Sequence, residues 1–283
     1  MIIILFIILI FIILVIMAEH DRLFNTEGYE NQNISWPIYD YYIYYFPMPI
    51  LGIFNHLVRK TNSNCNHYFD ESNYNSCNIL KNNFKNIKKE ALNILKKNDL
   101  LINFKDLDNN GFNSIDNQKN KWKIFIIKWM DKINENAYKN CPFTSQLIDQ
   151  LKDVRVAMFS ILMPGKYIPK HKGPSTGCLR YHLGIKIPKD KDNCYIKINN
   201  EKFNWNEGEG LLFDDTYVHE VYNNTNEPRI VLFVDIDRPI ENSILNNIQK
   251  SILDNQKTLS WINEVNNNVE KSNNIIKEPF TVQ

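Results

Sequence analysis

Neither sign of charge dominates this 283-residue chain: 33 Lys and Arg stand against 32 Asp and Glu, a formal net charge of +1. The electrostatic footprint of a nucleic-acid binder is missing, so no nucleic-acid partner is expected. None of the five cysteines, at positions 65, 77, 141, 178 and 194, has C-x-x-C spacing, which argues against a structural zinc site. Their odd number leaves at least one thiol unpaired in a monomer. Cys65 and Cys77 are either a local bridge or two free thiols. The sequence has no internal repeat. It also has no Lys or Arg ahead of its apolar N-terminus.

That N-terminus, residues 1–18, is almost wholly Ile, Leu, Phe, Val and Met, about the length that spans a bilayer. A signal peptide cut near Ala18 is the rival reading, but its basic leading region is absent. An uncleaved single-pass signal-anchor, attaching the protein to a membrane, is therefore expected. The sequons at Asn33 and Asn223 are compatible with a lumenal domain, whereas Arg22 favours a cytoplasmic one. Residues 19–78 read as a linker or strapping segment. The Trp36–Leu51 run, rich in Tyr and Pro, packs on the domain or lies at a membrane interface, and 61–78 read as a loop. From Ile79 to Lys97 apolar residues recur every three or four positions, which predicts a helix. Residues 105–120 read as a polar loop, Trp122 to Trp129 as a strand, and Phe143 to Val154 as a short helix. The tail, 241–283, reads as helical at first (Ile244, Leu245, Ile248, Ile252 and Leu253 on one face) and then Asn-rich.

The centre of the chain is Ser160 to Asp237. Short apolar alternations, V-A-M-F-S-I-L, R-Y-H-L-G-I-K-I, C-Y-I-K-I, G-L-L-F-D and R-I-V-L-F-V-D-I, are separated by Pro-Gly, Gly-Pro, Asn-Glu-Gly-Glu-Gly and Asn-Glu-Pro turns. Many short strands at close spacing suggest a barrel or jelly roll. Three of the six histidines, His171, His182 and His219, fall in this stretch. Neutral imidazoles on different strands, with open positions left over, suit a non-haem iron site. The carboxylate that usually completes such a site is missing, because His171 is followed by Lys172 and Gly173. Arg180 and His182, two apart, share one strand face. Arg180 and Arg229 need anions if they point inward: a bound dicarboxylate, or Asp214, Asp215 or Glu220. Asp214-Asp215 form a hairpin turn, supply a carboxylate to the free N–H of a metal-bound imidazole, or do both.

The motifs M-P-G (163–165), P-K-H-K-G-P (169–174), L-R-Y-H-L-G (179–184), W-N-E-G-E (205–209), F-D-D-T-Y-V-H-E-V (213–221) and R-I-V-L-F-V-D-I (229–236) resemble, in order and spacing, the aspartyl/asparaginyl β-hydroxylase family of 2-oxoglutarate-dependent oxygenases. The likeness extends over residues 79–240, the expected oxygenase domain. It implies a mainly β fold with flanking helices and a double-stranded β-helix (cupin-like jelly-roll) core. By the resemblance, His171 and His219 bind Fe(II), a glycine stands where the third ligand would be, and Ser160, Arg180, His182 and Arg229 contact 2-oxoglutarate. Trp122 matches a family tryptophan lining that site, with Trp129 nearby. The implied reaction uses O2, decarboxylates 2-oxoglutarate to succinate and hydroxylates an unactivated C–H. The implied target is the β-carbon of Asp or Asn in a protein substrate, such as an EGF-like domain, or else a lipid acyl chain. The long helical-repeat region of the animal enzymes is missing. A catalytically silent jelly-roll binding module is the reading from another class.

Overall fold

The structure, a computed structural model, describes residues 4–6, 8–12, 47–107, 121–130, 132–173 and 175–254. More than half of the expected anchor, the aromatic run up to residue 46, most of the 105–120 loop and the tail beyond 254 lie outside those residues. Residues 4–6 and 8–12 are helical with exposed apolar side chains. No helix among the described residues is long and apolar enough to cross a membrane.

Two antiparallel sheets form the core. The larger runs β1 (Tyr68–Phe69), β10 (Gly210–Phe213), β7 (Cys178–Lys186), β12 (Arg229–Asp237), β5 (Val154–Leu162), β3 (Trp122–Trp129) and β2 (Ile102–Asn103), with β4 (Lys132–Ile133) paired to β3. The smaller runs β6 (Lys166–His171), β11 (His219–Asn223), β8 (Cys194–Ile198) and β9 (Glu201–Asn204). Facing sheets joined by such crossovers make the jelly roll.

β12 shows why the chain folds this way. Ile230, Leu232, Val234 and Ile236 point to one side, into a cluster with Leu80, Ile87, Ala91, Ile94 and Ile148 of the flanking helices. Val231 and Phe233 point to the other, against Ile196, Ile198 and Val221 of the small sheet. A strand buried on both faces reads as a continuous apolar run. Each such side chain contributes about 1.5–3 kcal/mol of burial. The inner face between the sheets also carries Arg229, His182, Arg180 and Asp235, and those polar interruptions mark the site.

Among the residues described from 47 onward, six helices frame the sheets: α1 (Pro47–Thr61), α2 (Asn75–Asn82), α3 (Phe84–Leu95), α4 (Glu135–Asn140), α5 (Pro142–Gln150) and α6 (Ser243–Asp254). The single helix expected from Ile79 is two. Asn83 breaks it with φ −99° and ψ 11°, and its side-chain amide donates to Ile79 O at 2.8 Å. Asn offers such local bonds in competition with the helix backbone. α2 also begins inside the stretch expected to be loop. α1 takes the end of the presumed strap and starts at Pro47, a position where proline is tolerated because no N–H is needed. All five cysteines are free thiols, so Cys65 and Cys77 form no bridge.

Candidate active site

β6 and β11 bring the two motif histidines together. His171 ends β6 and His219 opens β11; they are register partners, and their ring centroids lie 4.0 Å apart. Each Nδ1 donates to a backbone carbonyl two residues upstream, His171 to Pro169 O at 2.8 Å and His219 to Tyr217 O at 2.9 Å. A carbonyl only accepts, so Nδ1 carries the proton and Nε2 keeps its lone pair. Burial pushes His171 down to about 4. Burial, reinforced by His171, holds His219 well below the ordinary histidine value. Both rings are therefore neutral at pH 7, the protonation state a metal requires. Of the two readings of Asp214-Asp215, the carboxylate partner for these N–H groups is not realised, since backbone carbonyls accept both. Asp214 instead caps its own turn, accepting from Thr216 N at 2.9 Å, and pairs with Arg238.

The missing third carboxylate has a spatial explanation. A Cβ on Gly173 would lie 2.0 Å from Asp215 Oδ2, so the Asp215 carboxylate occupies the space beside that residue. The two loops are tied there by Gly173 N donating to Asp215 O at 2.7 Å. Asp215 also meets Arg180 Nη1 at 2.7 Å. Burial pushes Asp215 up to about 7 against the pull of Arg180. Gly173→Ala is expected to displace this carboxylate and cost about 1–3 kcal/mol, the usual range for overpacking. Urea unfolding of wild type and variant measures it, and an unchanged midpoint would mean that the loop yields freely.

The expected co-substrate residues divide into two groups. Arg180, facing inward as expected, already holds two carboxylates: Asp215, and Asp235 through Nε at 2.9 Å and Nη2 at 3.2 Å. Arg229 is the opposite case. It is 2% exposed, lies over the Trp205 ring at 4.7 Å, and its Nε and Nη1 have no hydrogen-bond partner. Burial lowers its pKa to about 10, which still leaves it charged at pH 7. His182 is buried among Trp205, Phe213 and Phe233, with neither ring nitrogen partnered. Trp122 Nε1 donates to Ser160 Oγ at 3.1 Å, and its ring stacks on Phe104 at 3.7 Å. Ser160 pairs in register with Val231, and Trp122 with Leu162, itself the partner of Arg229. Trp129 lies seven residues along β3, opposite Val156. Trp205, the tryptophan of W-N-E-G-E, also lines this face beneath the Arg229 guanidinium. Its buried Nε1 is also unpartnered. A buried cation with orphaned donors costs several kcal/mol unless an anion fills the space. The residues present thus fit a divalent ion at the imidazole pair and a carboxylate at Arg229.

A family model described as aspartyl/asparaginyl beta-hydroxylase matches residues 81–239. The ornithine lipid ester-linked acyl 2-hydroxylase of Rhizobium tropici is 40% identical over 121 residues, covering 43% of this chain and 43% of that protein. The aspartyl/asparaginyl beta-hydroxylase of Homo sapiens is 35% identical over 127 residues, covering 43% of this chain and 16% of that protein. The chain thus spans less than half the length of these relatives. Among solved structures, the Schizosaccharomyces pombe Cnp3 cupin domain overlaps 47% of this chain and 73% of its own, at 9% identity and a TM-score of 0.31. The inner-face residues described above, from Trp122 to Arg229, all fall within the matched span, and the chain belongs to the aspartyl/asparaginyl beta-hydroxylase family.

Proposed function

We propose that this protein is an Fe(II)- and 2-oxoglutarate-dependent hydroxylase. The observation that carries the reading is Arg229, a buried guanidinium with two unpartnered donor atoms, on the same inner face as the residues beside the imidazole pair. His171 and His219 would hold the iron through Nε2. Ser160, Trp122, His182 and Arg229 would line the co-substrate, with Arg229 taking its distal carboxylate in the bidentate geometry that guanidinium favours. When bound, the iron with O2 and 2-oxoglutarate supplies the oxidising power to hydroxylate an unactivated C–H, with release of succinate and CO2. The chain's own part is to keep both imidazoles neutral, to orient them through Pro169 O and Tyr217 O, and to exclude water with the apolar walls of Phe213, Phe233 and Val231. Asp215, tied to Arg180, limits how the space beside Gly173 can be filled.

The relatives' names offer two substrates: an Asp or Asn side chain in a protein, and a lipid acyl chain. One observation favours the acyl chain. The inner-face arginine Arg180 is already neutralised by Asp215 and Asp235. An incoming acidic side chain would meet those carboxylates. Membrane attachment through residues 1–18 belongs to the same reading. The test is purified protein with Fe(II) and 2-oxoglutarate, offered EGF-like peptides in one arm and lipid vesicles in the other. Succinate release and a +16 Da product identify the substrate. No succinate in either arm, with iron bound, would favour the silent module.

A further inference from the structure

Two helices that lie outside the family match, α1 and α6, meet beside the active site. α1 packs on α6 and the segment just before it through Phe54, Val58, Ile240 and Leu245. Asn62 and Ser63 fasten the end of α1 to Pro239 O and Glu241. The adjacent face of α1, about 100° round the helix, meets the jelly roll. Asn55 and Arg59, four residues apart, lie on one side of the helix. Asn55 Oδ1 accepts from both Thr176 N at 2.8 Å and Thr176 Oγ1 at 3.1 Å. Arg59 Nη2 donates to Thr216 Oγ1, and its guanidinium lies over the Tyr217 ring at 5.4 Å. On α6, Gln249 Nε2 donates to Gly177 O.

These contacts fall on two particular loops. Residues 172–173 and 175–177 follow His171, and residues 214–218 precede His219. Each proposed iron ligand therefore sits where a strand gives way to a loop. Loops open locally at lower cost than strand interiors. A two-histidine site has no third protein ligand to cross-link them. Their spacing must come from the surroundings, within roughly 0.5 Å for a working site. Thr176 and Thr216 are buried, at 0% and 4% exposure, so solvent does not replace a lost partner. The Thr216 hydroxyl accepts from Arg59 while donating to Asp214, which pairs in turn with Arg238. A single helix thus grips both histidine-bearing loops, and a polar chain carries that grip into the loop before His219.

We propose that α1, braced by α6, is a clasp that sets the spacing of His171 and His219, with Asn55 and Arg59 as positioning residues. This rests on the iron reading above. It extends the functional unit beyond residues 79–240: within the matched core the backbone bond from Gly173 N to Asp215 O joins the two loops, and α1 adds a second tie through Thr176 and Thr216.

The test compares Fe(II) affinity and thermal midpoint, by anaerobic titration and by far-UV circular dichroism, in the full chain. Asn55→Ala with Arg59→Met, which keeps the arginine stem but removes its donors, should weaken Fe(II) binding about tenfold or more, as losing outer-shell support does elsewhere. Asn55→Asp, whose carboxylate accepts the same two bonds, should retain the wild-type affinity. Leu80→Ala, in the helical layer away from both loops, should lower the midpoint and leave the affinity unchanged. A double variant that loses stability like Leu80→Ala yet binds Fe(II) as tightly as wild type would overturn the proposal. If the double variant does not fold, Asn55→Ala alone is compared, and unchanged affinity there overturns it equally. A wild-type chain with no affinity for Fe(II) would overturn the iron reading itself, and the clasp with it.

Discussion

His171→Ala is expected to abolish Fe(II) binding and hydroxylation together, and His219→Ala to do the same. The two imidazoles are in contact across β6 and β11, so either variant leaves a single imidazole at that seam. The loss should exceed the roughly 10–100-fold that removal of an outer-shell partner costs. His182→Ala is the informative control. It lies on β7, opposite Leu211 and Phe233, so it should leave metal content intact and affect only the co-substrate. Metal analysis after gel filtration, read beside succinate formation, separates the cases. Full iron content in His171→Ala would remove that residue from the ligand set.

Arg229→Lys is expected to raise the KM for 2-oxoglutarate about tenfold or more while Fe(II) affinity stays put. Lysine keeps the charge but cannot offer two parallel donors. The loss of one charge-assisted hydrogen bond is worth about 1.5–3 kcal/mol. Burial decides the size of the effect. An exposed arginine would contribute only about 0–1 kcal/mol, but Arg229 is 2% exposed and two of its donor atoms are unmet. Titrating 2-oxoglutarate against both proteins, with iron saturating, measures the shift. An unchanged KM would mean that the co-substrate carboxylate sits elsewhere.

The strands that carry Arg180, His182 and Arg229 were legible because they are long, apolar and buried on both faces, so their pattern does not depend on a neighbour. β6 was not legible. Pro169 interrupts it, and proline survives in a ladder only at an edge. β9, with burial only at Phe203, carries no alternation to read. α1 was hidden by its two prolines and by the aromatic run before it. Within the site, residue types told which atoms were available but not which were already spoken for. Arg180 and Arg229 look alike in sequence. Register with Asp235 and the approach of the 214–218 loop satisfy one and leave the other bare. The carbonyls of Pro169 and Tyr217 that orient the histidines belong to no side chain, so residue identity gives no signal for them.

β6 is an outer strand of the four-stranded sheet, with β11 as its neighbour on one side. One of the two proposed ligands therefore rides on an edge strand, laddered on one side only. An ion joining His171 to His219 would act as a rivet across the β6–β11 seam, and its departure would let the outer strand peel first. Amide protons of residues 166–171 are then the natural reporters of metal loading, exchanging quickly in the empty protein and slowly in the filled one. Those of β12, enclosed between β5 and β7, would hardly notice the difference.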